Sequence, residues 1–175
     1  MSSTIKIWDP VVRIVHWSLV GIFITNYFII EAGGTWHQWL GYSAAALVLL
    51  RLIWGFFPSG YARIRAAAIN RAAISAHITH LKERHIPTES GHNPIGWLMV
   101  FATWLLFIAL SVTGFMLEEI DALFGNSLLQ DIHALAANTL YAIAIIHIIA
   151  VIVVSWWGRI PLIPPMITGQ RKKRD

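Results

Sequence analysis

Residues 131–157 read DIHALAANTLYAIAIIHIIAVIVVSWW. From Ala134 onward this stretch carries no Lys, Arg, Asp or Glu, and it is long enough for a helix to cross a bilayer. It nevertheless holds His133 and His147. Fourteen residues are nearly four whole helical turns, so both imidazoles project from nearly one face, about 21 Å apart at a rise of ~1.5 Å per residue. Ionisable groups inside an apolar span are costly and mark functional positions. Two imidazoles at two depths on one face predict two haems stacked across the membrane, each with one ligand from this helix.

The composition supports a membrane protein. Of 175 residues, 57% are hydrophobic and 13% charged, with several apolar runs of spanning length. There is no cysteine. That excludes disulfides, thiolate-held iron–sulfur clusters and covalent C-x-x-C-H haem attachment, so a haem must be held by side-chain ligands alone. No removable signal-peptide pattern is expected at the N-terminus. A pI near 9.8 suits nucleic acid in principle, but the basic residues are better explained as topology signals, and no nucleic-acid partner is expected.

Four spans are expected, at about 11–30, 36–57, 95–117 and 132–157, in an all-α, integral membrane four-helix transmembrane bundle. Residues 1–175 are expected to form a single membrane-embedded domain. After a polar leader, Asp9 and Pro10 read as a helix N-cap and first helical residue. Glu31–Thr35 is a Gly-punctuated turn, and Pro58-Ser-Gly60 closes the second span. In residues 61–94, Arg63, Arg65, Arg71, Lys82 and Arg84 alternate with apolar residues. This predicts a cytoplasmic amphipathic helix lying on the membrane surface. Residues 118–130 read as an acidic loop, and the tail RIPLIPPMITGQRKKRD as a solvated basic run.

Four spans put both termini on one side. All thirteen Lys and Arg residues fall at or near that side and the 61–94 segment, so it is cytoplasmic by the positive-inside rule. The other side carries Glu31, Glu118, Glu119, Asp121 and Asp131 without a basic residue. Depth then sorts the histidines. His37 and His133 both open their spans on the outer side. His147 is roughly 9 Å from the cytoplasmic edge of a ~30 Å core, and His16 about 8 Å from the same edge. The expected pairs are His37 with His133 and His16 with His147. Zinc would want more ligands at one level, with carboxylates among the donors. Polar contacts between helices remain the plain alternative for any one of these histidines.

Gly41, one turn after His37, and Gly114 suit the approach of a flat ring, although helix packing explains a single glycine equally well. Arg13 and Arg51 are candidates for a haem propionate, with snorkelling to the interface as the alternative. Asp9, His92 and Asn93 are further polar groups at the cytoplasmic end. His77, His80, His85 and His92 otherwise read as surface histidines.

At these residues the chain resembles a known family. The pieces are WDPVVRIVHW (8–17), HQWLGYSAAALVLLRLIWGFF (37–57), GHNPIG (91–96), TGFM (113–116), IHALAANTLYAIAIIH (132–147) and MITGQRKKR (166–174). They are similar to the bacterial cytochrome b561 type, which includes the b-type cytochrome subunits of nickel–iron hydrogenases. The resemblance covers nearly the whole chain. It implies that residues 1–175 are a single cytochrome b domain, a four-helix bundle with two non-covalent b haems. Its axial ligands fall on His16 and His147 (cytoplasmic-side haem) and on His37 and His133 (periplasmic-side haem). It also implies a bacterial inner membrane location, quinone as substrate, and electron exchange with a periplasmic partner, with Asp9, Arg13, Arg51, His92 and Asn93 as candidates for a quinone site at the inner haem. Beyond the bundle, no catalytic domain or second redox motif is expected.

Three functions fit. In the first, a transmembrane electron-transfer cytochrome links the quinone pool to a periplasmic redox protein, such as a c-type cytochrome or a redox-enzyme subunit. The acidic outer loops suit a basic partner. In the second, a superoxide:quinone oxidoreductase would need basic residues to steer its anionic substrate, and the outer face has none. In the third, the chain anchors a hydrogenase or dehydrogenase. A haem or metal carrier is a fourth, non-redox reading. The pattern is compatible with a homodimer.

Overall fold

A computed structural model describes residues 4–57 and 60–173. Pro58 and Ser59, expected to close the second span, and Arg174 of the basic tail lie outside the described residues. The element order is β1 (Thr4–Lys6), α1 (Pro10–Phe28), α2 (Thr35–Trp54), a 3-10 turn (Ile64–Ala66), α3 (Arg71–Lys82), α4 (Pro94–Glu119), a 3-10 turn (Asp121–Leu123), α5 (Ser127–Trp157), α6 (Ile163–Thr168) and β2 (Gln170–Lys172).

Helix starts follow their caps. Asp9 accepts a hydrogen bond from the Val12 N–H at 3.0 Å, and Pro10 sits in the first turn, where no N–H is needed. Asn93 and Pro94 open α4 in the same way. Asn126 accepts from the Leu129 N–H at 3.0 Å, so α5 begins at Ser127, five residues before the expected start. The acidic loop is correspondingly shorter, because α4 also runs on to Glu119. The cap outweighs the polar composition that suggested a loop.

Three helices, α1, α4 and α5, are long and apolar enough to cross a membrane. Helix α2 has 20 residues, which is long enough, but His37, Gln38 and Arg51 dilute its apolar character. Helix α1 packs on α2, α2 on α4, and α4 on α5. Side chains close the ring between α1 and α5: the Tyr27 hydroxyl bonds Asn138 Oδ1 at 2.6 Å, and Tyr27 stacks on Tyr141 at 5.2 Å. Val15, Leu19, Ala44, Val48, Trp104, Phe107 and Leu140 form the shared core. Within lipid such contacts stabilise by close packing rather than by exclusion of water. Helix α5 keeps Leu135, Ile145, Ile146, Ile148, Ile149 and Ile152 exposed, a surface that suits acyl chains.

The end where the termini meet is more ordered than its composition suggests. Strands β1 and β2 pair antiparallel, with Thr4 opposite Lys172, Ile5 opposite Arg171 and Lys6 opposite Gln170. The Gly169 carbonyl accepts from both Ile7 N–H (2.8 Å) and Trp8 N–H (3.2 Å). Gly169 has φ +82°, and a Cβ there would stand 2.8 Å from the Trp8 carbonyl oxygen, so this turn requires glycine. Ile7, Trp8, Val12 and Ala62 form a second core beneath the sheet.

Two expectations are corrected here. The tail is not simply a solvated basic run, since Arg171 is 2% exposed and donates only to carbonyls: Thr88 (2.9 Å), Ser90 (2.8 Å) and Pro161 (3.2 Å). The 61–94 segment is helical over one long stretch only, α3, and its His77 is buried. The segment then folds back on the end of α5. Trp157 Nε1 donates to the Leu81 carbonyl at 2.9 Å, and the Ile86 N–H donates to the Gly158 carbonyl at 3.4 Å.

Candidate functional site

Helix α5 brings its two histidines against two different helices. His133 faces His37 of α2 with ring centres 6.1 Å apart, and His147 faces His16 of α1 at 6.4 Å. Both pairs are tilted by 58°. These are the pairs expected from depth. A metal–imidazole bond is about 2 Å and a ring nitrogen sits about 1 Å from its ring centre, so one metal between two facing imidazoles separates the centres by about 6 Å. Both pairs meet that distance.

The chemistry of the donor sets agrees with it. Among the described residues no three His, Cys, Asp or Glu side chains gather as a metal site. Each pair therefore offers two imidazole nitrogens without a third ligating side chain, which suits iron already held in a porphyrin and not a four-ligand zinc. Gly41 leaves room beside His37: a Cβ there would meet no atom within 4 Å. At Gly114 an added Cβ would stand 3.5 Å from His133 Cε1, an ordinary contact, so that glycine is compatible with the reading without being demanded by it.

The outward nitrogens of the α5 histidines are held from α4. Thr113 Oγ1 lies 2.8 Å from His133 Nδ1, and Met99 Sδ lies 3.1 Å from His147 Nδ1. Sequence reasoning missed both contacts. His37 Nδ1 is buried without a partner, while the His37 carbonyl accepts from Asn26 Nδ2 at 3.2 Å. Near this pair, Gln38 Nε2 donates to Glu118 at 2.7 Å and the Tyr42 hydroxyl to Glu119 at 2.7 Å, tying α2 to the end of α4.

The remaining predicted residues divide into two groups. Asp9 and Asn93 use side-chain oxygens as helix caps. Asn93 also donates its Nδ2–H to His77 Nε2 at 3.0 Å, so little of it is left for a ligand. Arg13, Arg51 and His92 keep unused polar atoms. Arg13 Nη1 donates to the Ile167 carbonyl, and its buried Nε has no partner. Arg51 does not snorkel: it is 5% exposed, lies 5.2 Å over the Trp104 ring and donates Nη2–H to the Ala62 carbonyl at 3.0 Å. Its Nη1 is buried and unpartnered. His92 packs between Trp8 (4.6 Å) and Trp97 (5.1 Å), with a buried, unpartnered Nδ1. It is not the surface histidine expected. Loss of solvation pushes its imidazole down to about 3, with Arg51, His147 and His16 adding to the effect. His77 is likewise held below its ordinary value, chiefly by burial and then by His80.

The family description "Prokaryotic cytochrome b561" matches residues 7–169. The chain is also similar to a protein of Bradyrhizobium diazoefficiens named "Probable Ni/Fe-hydrogenase B-type cytochrome subunit". The two are 28% identical over 218 residues, an alignment covering 98% of this chain and 87% of that relative. No solved structure matches significantly. With three apolar helices of spanning length and a family match over most of its length, the chain belongs to the prokaryotic cytochrome b561 family and is a membrane-integral electron-transfer cytochrome of the haem b type.

Proposed function

We propose that this cytochrome crosses the bacterial inner membrane four times as one domain, holds two b haems, and passes electrons between quinone and a redox protein on the outer face. His37 and His133 ligate the outer haem, and His16 and His147 the inner one. The observation that carries this reading is the pair of ring separations, 6.1 and 6.4 Å, both suited to one metal between facing imidazoles. The spread of positive charge favours cytoplasmic termini, with α3 near the headgroups of that leaflet.

Haem, when bound, supplies a one-electron iron couple. The chain's own contribution is to hold facing imidazoles at two depths. At the inner end, Arg13 Nε, Arg51 Nη1 and His92 Nδ1 are buried polar atoms without partners. Buried polar groups without partners are rare and point to a ligand. Two guanidinium donors suit a propionate or a quinone oxygen, and the unpartnered Nδ1 of His92, kept neutral by burial, suits a hydrogen bond beside it.

The test is haem content and the reduced-minus-oxidised spectrum of four variants. His37→Ala and His133→Ala should each lose the same one of two b components, and His16→Ala and His147→Ala the other. A variant that keeps both haems, or a loss that couples His16 with His133, would sink the assignment.

A second reading is favoured by the name of the Bradyrhizobium relative: a membrane subunit serving a hydrogenase or similar enzyme. Co-purification with an iron–sulfur protein would select it. The superoxide reading has less support, since the outer carboxylates Glu118 and Glu119 face Gln38 and Tyr42 rather than cations that would steer an anion.

A further inference from the structure

Helix α4 supplies no histidine to either pair, yet it touches a histidine of both. Thr113 meets His133 and Met99 meets His147. Thr113 and Met99 are fourteen residues apart, as are His133 and His147, so the two contacts keep one antiparallel register between α4 and α5.

The acceptor chemistry fixes the tautomer at both positions. The single hydroxyl proton of Thr113 is directed to the backbone, with the Ala109 carbonyl at 2.7 Å and that of Leu110 at 3.2 Å. Its oxygen can then only accept from His133, which puts the imidazole proton on Nδ1. A thioether sulfur has no proton to give, so His147 must also donate from Nδ1. In both rings the lone pair is left on Nε2, the atom a ligand needs. Hydrogen bonds to the far nitrogen orient a ligating histidine and raise its basicity. A hydroxyl oxygen is a stronger acceptor than a thioether sulfur.

Resting on the bis-histidine reading above, we propose that Thr113 and Met99 are positioning residues that hold His133 and His147 as Nδ1–H tautomers, and that their unequal acceptor strength lowers the potential of the His133 haem more than that of the His147 haem.

The experiment uses the full-length, haem-loaded protein in detergent. It combines redox titration of each b component with electron paramagnetic resonance of the oxidised low-spin haems. Thr113→Val should raise the potential and alter the signal of the component that His133→Ala removes, leaving the other in place. Thr113→Ser should restore it. Met99→Leu should shift only the component that His147→Ala removes, and by less. Release of one haem by Thr113→Val but not by Thr113→Ser also supports the proposal. It is overturned if Thr113→Val leaves both potentials and both signals unchanged, if both components move together, or if the valine and serine variants behave alike. Failure of the ligand reading is separately visible: His133→Ala and His147→Ala would then not remove one component each.

Discussion

Replacing Arg171 by alanine measures how firmly the chain ends are fastened to the bundle. Its guanidinium is almost wholly buried, and its polar contacts are three backbone carbonyls, Thr88 and Ser90 through Nη1 and Pro161 through Nε. Hydrogen bonds involving a charged group contribute about 1.5–3 kcal/mol each, and each carbonyl left dry and unpaired costs about 1–3 kcal/mol. The three share one side chain, and water can re-enter at this end of the bundle, so the losses will not add. A total of about 3 kcal/mol is expected, roughly a hundredfold rise in local opening. Hydrogen exchange of the detergent-solubilised protein reads it, with faster exchange at Ile5–Lys6 and at 86–92 and little change in the middle of α4. Lysine should recover only part, since it lacks the fork that reaches two carbonyls from one nitrogen and a third from another. A caged cation is also poorly screened, so the effect should persist at about 1 M salt, where the Debye length is ~3 Å. An increase below about threefold, or one that vanishes in high salt, would return the tail to a solvated charge run.

Gly169→Ala should open the same clasp by another route: a Cβ 2.8 Å from the Trp8 carbonyl oxygen, at φ +82°, costs on the order of 1–3 kcal/mol, and unchanged protection of Ile7 and Trp8 would refute it. The His77 contact makes α3 pH-sensitive. His77 Nε2 accepts from Asn93, and burial holds its pKa below the ordinary 6.5. Between the two values the unfolded segment binds more protons than the folded one, so the contribution is full above about 6.5 and declines as pH falls below it. Exchange of Arg71–Lys82, corrected for intrinsic rates, should quicken from pH 7.5 to 5.5 in the parent and not in His77→Gln, and equal responses would dispose of the idea.

Much of the site was legible because it follows from helical periodicity and charge. Fourteen residues place two side chains on one face whatever surrounds them, and a span with no charged residue from Ala134 onward limits what its histidines can bind. The two pairs therefore emerge from depth alone. The helix bounds were less legible, since Asn126 starts α5 within a stretch that composition marks as loop. The end with the termini was largely illegible. Three-residue strands carry no periodic signal, and Arg171 differs from Lys172 and Lys173 beside it only through a cage in which two of the three carbonyls come from residues about eighty positions away. His77 and His92 fall in the same category, because their burial depends on that fold-back. The α4 contacts were hidden for a different reason. Threonine and methionine are ordinary residues of apolar spans, and only the antiparallel register with α5 reveals that they stand opposite the histidines.

The repeated spacing also indicates why the helices divide the work as they do. A charged imidazole is costly in hydrocarbon, so a membrane histidine is best kept neutral, and a neutral imidazole has one proton to place. On α5 both protons point toward α4, leaving both lone pairs toward α1 and α2, where the opposing histidines are found. Had an acceptor stood on the ligand side instead, the same histidines would have formed a hydrogen bond between helices and no metal position. A bundle that separates acceptors on one neighbour from ligands on the others thus turns an otherwise unremarkable pair of membrane histidines into two ordered sites at two depths.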